Sequence, residues 1–249
     1  MELTDKIALI TGGTLGIGAA TAKELARRGA DVALVARTLG EPATALQQEI
    51  AALGRRCLLI PGDLSRAADC QRCVAETISH FGNLHVLIHN AGGPAPGKIE
   101  DLTAEQWEYT FNLHVNACFH LCKAALPRMR QNKEGAIITV SSTAGVRGVP
   151  GAIAYATAKG ALPQFTRSLA RDVADDNIRV NCVAPGIIRT RFHADMTAER
   201  KQLNLQQRIP LHREGTPEQV ADVIAMLVTN DYLTGETVVI DGGLTSRIC

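Results

Sequence analysis

The sequence predicts one α/β domain spanning residues 1–249: a seven-stranded parallel sheet, doubly wound, with helices on both faces. Two observations carry the fold. Short, continuously apolar runs rich in β-branched residues alternate with longer segments of helical period. Strands without polar alternation are those covered on both faces, as in a parallel sheet. A third observation locates a ligand site: the first strand runs straight into a glycine-rich turn and then a helix.

In chain order the expected strands are Ile7–Ile10, Val32–Ala36, Cys57–Ile60, Val86–His89, Ala136–Val140, Val180–Val183 and Val238–Ile240. Helical stretches fall between them at Ile17–Arg28, Ala43–Leu53, Ala67–His80 and Ala104–Arg130, and a later helix holds Tyr155–Ala174. The punctuation agrees. Gly29 and Gly54 follow the first two helices, where a C-terminal cap needs a left-handed residue. Thr103 and Gln106 form a capping box, and Thr216-Pro217 opens the last helix. The polar segment 189–214 reads as an irregular substrate lid.

Composition narrows the function. The 249 residues carry a formal net charge of +1, with no basic tract, which argues against nucleic acid or an anionic membrane as partner. The chain enters its first strand almost at once, without the pattern of a signal peptide. No apolar run reaches the roughly 18 residues of a membrane span. The 7 cysteines lack the spacing of a disulfide scaffold. Cys70 and Cys73 form a lone CxxC, and Cys118 and Cys122 sit one helical turn apart. Both pairs read as packing residues, and reduced thiols suit a cytoplasmic protein. His80, His85 and His89 lack metal-ligand spacing, so no metal is expected. Trp107 reads as a packing residue. Arg189, Arg191 and His193 read as solvated charge, with an anionic substrate group as the alternative.

The turn after the first strand reads Thr11-Gly12-Gly13-Thr14-Leu15-Gly16-Ile17-Gly18. Glycines let the backbone approach a pyrophosphate, and the helix N-terminus offers unpaired N–H groups and the positive end of its dipole. Gly12, Thr14, Leu15, Gly16, Ile17 and Gly18 are therefore candidates for binding a dinucleotide.

Tyr155 and Lys159, spaced i, i+4, share one helix face. A phenol of ordinary pKa, about 10, is a poor base, and a neighbouring ammonium is expected to lower it. Ser141-Ser142 closes the fifth strand at its C-terminal end, where open α/β sheets bind ligands, and Ser142 precedes Tyr155 by thirteen residues.

The GxxxGxG turn with its leading Thr-Gly, and the serine, tyrosine and lysine in this order and spacing, resemble the short-chain dehydrogenase/reductase family. The likeness covers essentially the whole chain, and members resembling 3-oxoacyl-carrier-protein reductase look nearest. The resemblance implies a Rossmann-type fold and an oxidoreductase moving hydride between a nicotinamide cofactor and a carbonyl or secondary alcohol. It also implies roles. Ser142 bonds the substrate oxygen, Tyr155 transfers the proton, and Lys159 holds the nicotinamide ribose while tuning Tyr155. Asp63-Leu64 resembles an adenine-contacting pair, and Asn90-Ala91-Gly92 lines the adenosine side. Pro185, Gly186, Ile188 and Thr190 resemble the segment around the nicotinamide amide. Thr234-Gly235 and Asp241-Gly242-Gly243 resemble a region used to build homotetramers.

Two departures stand out. The family's fourth catalytic residue is an asparagine five positions before an aromatic; counting back from Phe119 gives His114. Asn112 and Asn116 flank it but point to other faces. A neutral imidazole offers one donor and one acceptor, so His114 can hold the water that the asparagine orders. It also brings a group of ordinary pKa near 6.5 into the proton path. The other departure is Pro163, which removes an N–H from the helix and is expected to bend it.

Cofactor choice is read at the end of the second strand, where an acidic residue binds the ribose hydroxyls of NAD. Here Ala36-Arg37 stands instead. Arg37 suits a 2′-phosphate, so NADP(H) is preferred with NAD(H) still usable, although Leu15 stands where some NADP-users carry a second base. Two other readings stay open: a non-catalytic dinucleotide-binding or sensing protein, and an epimerase or dehydratase on nucleotide sugars. An intact Ser142, Tyr155 and Lys159 argues against the first. The second usually needs a C-terminal substrate domain, and this chain ends soon after the seventh strand.

Overall fold

The computed structural model describes residues 1–190, 192 and 196–246. Seven strands form one parallel sheet: β1 (Ile7–Thr11), β2 (Asp31–Ala36), β3 (Cys57–Pro61), β4 (Val86–His89), β5 (Gly135–Val140), β6 (Ile178–Pro185) and β7 (Thr237–Ile240), in the order β3-β2-β1-β4-β5-β6-β7. The order reverses between β1 and β4, and a crevice opens beyond the strand ends at such a switch point. Buried side chains form two clusters. One holds Leu25, Val32, Val86 and Ile224; the other holds Leu9, Leu87, Leu121 and Val180. Every residue of β1, β4, β5 and β6 is buried, which is why β1, β4 and β5 read as near-continuous apolar runs.

Among the described residues eight α-helices accompany this sheet: α1 (Gly16–Arg27), α2 (Glu41–Ala52), α3 (Ala67–Phe81), α4 (Ala104–Phe111), α5 (Ala117–Asn132), α6 (Ile153–Val173), α7 (Ala198–Leu203) and α8 (Pro217–Thr229). The expected capping box is present at Thr103, and Thr216, expected only to open the last helix, forms a second one with Gln219. Gly29 and Gly54 hold φ of +100° and +74°, as expected.

The expected long helix Ala104–Arg130 is instead two helices joined by a π-turn, Asn112–Asn116. Inside it the His114 carbonyl accepts from a side chain, that of His89. The 189–214 segment is more ordered than expected. It carries α7, extended by a second π-turn at Asn204–Arg208, with Asn204 buried. Thr197 caps α7 by accepting from the Arg200 N–H. Strand β6 is four residues longer than the expected Val180–Val183, because the buried Arg179 breaks the apolar pattern at its start and Pro185 closes it at its end; Asn181, within the expected run, is buried too. The Arg179 guanidinium donates to the carbonyls of Leu227 and Val228 at the end of α8, and Asn181 donates to the Leu233 carbonyl. Helix α6 runs unbroken through Pro163.

Candidate active site

The C-terminal strand ends carry most of the singled-out residues. After β1 the chain turns through Gly12, with φ +60°, and Gly16, with φ +53°, values that favour glycine. A Cβ on Gly18 would stand 2.1 Å from the Gly12 carbonyl, so the turn closes on itself without room for a side chain. Helix α1 starts beyond it with no side-chain cap, leaving its first N–H groups facing the crevice. Thr14 is buried and Leu15 exposed.

The Thr11 hydroxyl ties this turn to the end of β4, accepting from the N–H groups of Asn90 and Ala91. Asn90 Nδ2 donates in return to the carbonyls of Thr11 and Gly12. The tail of β6 reaches the same place: the Thr190 methyl would lie 3.2 Å from a Cβ on Gly16. The segments 12–18, 90–92 and 185–190 therefore converge, as the sequence anticipates. Around Pro185 the backbone is close-packed, since a Cβ on Gly186 would meet Asp241 at 2.7 Å. Ile188 is buried and bridges to Gly215, which ties together the two ends of the 189–214 segment. Beyond β3, Asp63 accepts from the N–H and hydroxyl of Ser65, and the Leu64 side chain is buried in the core. Arg37 projects from the end of β2 and donates to the Tyr109 hydroxyl at 3.2 Å. Arg189 pairs with Glu214, while Arg191 and His193 lie outside the described residues.

Ser142, Tyr155, Lys159 and His114 gather beyond β5. Tyr155 and Lys159 face the strand end from the first turns of α6, and Lys159 Nζ lies 5.8 Å from the centre of the Tyr155 ring. Burial raises the Tyr155 phenol above its ordinary pKa, while the adjacent Ser142 hydroxyl pulls the other way. The expectation that Lys159 lowers the phenol is thus corrected. Desolvation governs it, and the ammonium donates to the Val140 carbonyl at 2.7 Å. Burial also lowers Lys159, to about 8, against the opposing pull of the Cys182 and Cys118 thiols.

His114 is 1 % exposed and meets Tyr155 edge-on, ring centres 5.6 Å apart. Its Nε2 lies 3.2 Å from the Gly93 carbonyl and 3.3 Å from the Gly93 nitrogen. Donation to the carbonyl fits better, because it leaves Nδ1 as a bare acceptor near the Lys159 ammonium. The opposite tautomer would set an N–H against that charge. Nδ1 is buried and has no partner among the described residues. It and Lys159 Nζ crowd the same spot, 2.9 and 3.4 Å from where a Cβ on Gly92 would stand. Burial and the Lys159 charge push His114 down to about 2, so it is neutral at any working pH. The expected pKa near 6.5 is corrected accordingly.

His89, set aside as structural, organises this corner. Its Nε2 donates to the His114 carbonyl at 3.1 Å, which leaves Nδ1 to accept from the Thr11 hydroxyl, also at 3.1 Å. Phe192, in the segment after β6, has its ring centre 5.7 Å from that of Tyr155. Sequence reasoning passed over Phe192, an aromatic in a polar stretch, and the carbonyl of Val140, which no side-chain pattern can reveal. Among the described residues no group of His, Cys, Asp or Glu could hold a metal ion, and no helix is long and apolar enough to cross a membrane.

Comparison with known proteins supplies the context. A family model described as enoyl-(acyl carrier protein) reductase matches residues 12–245. A human 3-oxoacyl-[acyl-carrier-protein] reductase is 37% identical, the match covering 96% of this chain and 98% of that protein. A short-chain dehydrogenase/reductase from Serratia marcescens superposes with a TM-score of 0.92 at 35% identity, covering 98% of this chain and 100% of the other. A blue fluorescent protein from a metagenomic library, solved in complex with NADPH, superposes with a TM-score of 0.90 at 34% identity, covering 98% and 99% of the two chains.

Proposed function

The chain belongs to the short-chain dehydrogenase/reductase family of nicotinamide-dependent oxidoreductases, and from that premise we propose that it transfers a hydride between NADP(H) and a carbonyl or secondary alcohol, with Tyr155 exchanging the proton. The observation that carries this reading is the convergence of Ser142, Tyr155 and Lys159 at the end of β5, beside a turn that only glycines fit.

The residues present suit a dinucleotide. The glycine-rich turn at Gly12–Gly18 and the uncapped start of α1 would hold the pyrophosphate. Asp63, Leu64 and Asn90–Gly92 would flank the adenosine, and Pro185, Gly186, Ile188 and Thr190 the nicotinamide. When bound, the nicotinamide supplies or accepts the hydride.

The chain's own residues do the rest. Ser142 donates to the substrate oxygen. Tyr155, whose phenol burial keeps protonated, gives its proton to that oxygen in reduction and takes it back in oxidation. Lys159 holds the ribose and restores the phenol, and the bare Nδ1 of His114 anchors the water through which Lys159 regains its proton.

Arg37, exposed at the end of β2 with no carboxylate in the acid's usual place, supports NADP(H) over NAD(H). Exposed Trp107 and Phe119 on α4 and α5 support these helices as contacts in a homotetramer. The cytoplasm is the compartment this reading favours. A spectrophotometric screen for NAD(P)H change over sugars, polyols, acyl thioesters, steroids and simple ketones tests the reading; no turnover in any class would count against it.

A further inference from the structure

We infer that Ser141 and Pro163 are positioning residues for Lys159: the proline releases the Lys159 carbonyl from its own helix, and the Ser141 hydroxyl takes hold of it. This rests on the role of Lys159 proposed above.

In a regular α-helix the carbonyl of residue 159 accepts from the N–H of residue 163. Pro163 has no N–H, and its ring crowds that same carbonyl. Both residues are buried in α6, where an unpaired carbonyl is costly. The Ser141 hydroxyl, itself 3 % exposed, donates to the Lys159 carbonyl at 2.7 Å. Ser141 is well placed to act as a fixed point, because its own N–H donates to the Val183 carbonyl at 2.8 Å and so extends the β5–β6 ladder.

The next turn of chain closes on the same peptide. A Cβ on Gly145 would stand 2.6 Å from the Lys159 carbonyl carbon and 2.7 Å from its oxygen, so the backbone there lies flat against α6. At the other end of the residue, Lys159 Nζ donates to Val140. Consecutive residues at the end of β5, Val140 and Ser141, thus grip Lys159 by its ammonium and by its carbonyl. That double grip sets where Nζ stands relative to the Tyr155 ring, 5.8 Å away.

The test compares S141A, the double variant S141A/P163A and K159A with wild type. The NADPH dissociation constant is read by fluorescence titration, kcat with the best substrate of the screen, and Tm by thermal melting. Binding and kcat are measured well below the lowest Tm. S141A is expected to weaken NADPH binding and lower kcat, each by about tenfold. The double variant regains an N–H at position 163 for the Lys159 carbonyl, and should return to within about threefold of wild type.

An S141A variant with lowered Tm but binding and kcat within about twofold of wild type would mean that Ser141 only satisfies a buried carbonyl, and overturns the inference. A double variant that is unfolded, or as impaired as S141A, overturns it too. Should S141A alone fail to fold, a folded double variant with near-wild-type binding and kcat supports it. K159A separates the two levels: near-wild-type binding and turnover in K159A would refute the role of Lys159 itself.

Discussion

Lys159 donates its ammonium to the Val140 carbonyl at 2.7 Å and leaves the Tyr155 phenol to be governed by burial. The phenol is therefore held protonated near neutral pH, which suits an acid toward a carbonyl oxygen.

Tyr155→Phe should remove that acid and little else. Turnover is expected to fall about 100- to 10,000-fold, with NADPH affinity and Tm retained. Steady-state kinetics and a binding titration on the purified variant check this; a Phe variant with near-wild-type turnover rejects the assignment.

His114 presents a bare, buried Nδ1 toward Lys159. His114→Asn keeps an acceptor there and should stay active. His114→Leu removes it and should cost at least about tenfold in kcat, near 1.4 kcal/mol of activation. Because His114 is held at about 2, it does not titrate in the working range, and the acidic limb of the pH–rate profile should coincide in wild type and the Asn variant. Full activity in the Leu variant rejects the relay.

The two buried histidines should make the protein sensitive to acid. His89 is lowered to about 4 and His114 to about 2, both chiefly by burial, so the unfolded chain takes up protons near pH 6.5 that the folded chain refuses. Stability from these groups is fully present above pH 6.5. It declines as pH falls below that value, by up to about 1.4 kcal/mol per pH unit for each histidine, until the folded-state values are reached. Denaturant unfolding between pH 7 and 5 should show the decline, and His114→Asn should make it shallower, leaving the contribution of His89. Stability independent of pH over that range contradicts the burial argument.

Arg37 now rests on the Tyr109 hydroxyl at an exposed site, and among the described residues no carboxylate pairs with it that would have to be displaced. Wild type should use NADP(H) with moderately higher kcat/KM than NAD(H), and Arg37→Ala should reduce the ratio by about tenfold, the loss of one charge-assisted contact. A strong preference of wild type for NAD(H) overturns this.

Light scattering at micromolar concentration should give the mass of a tetramer, closed symmetry being the usual outcome for soluble homo-oligomers. A monomer ends the assembly proposal and leaves the chemistry untouched.

The sheet was legible because both-face burial writes itself as unbroken apolar runs, and the glycine turn because backbone approach forbids side chains. Spacing alone said little of Ser142, Tyr155 and Lys159; the strand end together with the family resemblance singled them out, and the structure brings the three side chains together beyond β5. The π-turn was not legible: Asn112–Asn116 sit in an ordinary helical pattern, and the bond that accompanies it comes from His89, a residue 25 positions earlier in the chain. The helix within 189–214 was missed because α7 is short and carries no buried residue to mark a face. The partner of the Lys159 carbonyl, Ser141, belongs to another element, so Pro163 looked like a flaw.

The π-turn at Asn112–Asn116 also absorbs one residue without disturbing the helix that follows it. A π-turn holds one residue more than the α-helix it interrupts, and its five residues advance around the axis about as far as four residues of an α-helix. The buried stripe of Leu121, Cys122, Ala125 and Met129 therefore stays in phase with α4. Deleting one residue from this stretch would let α4 and α5 fuse into one continuous helix with that stripe still buried, and the loss would fall on His114 and on the bond from His89 to its carbonyl. The extra residue works as a local widening that makes room beside Tyr155 for the His114 ring and leaves the packing beyond it unchanged.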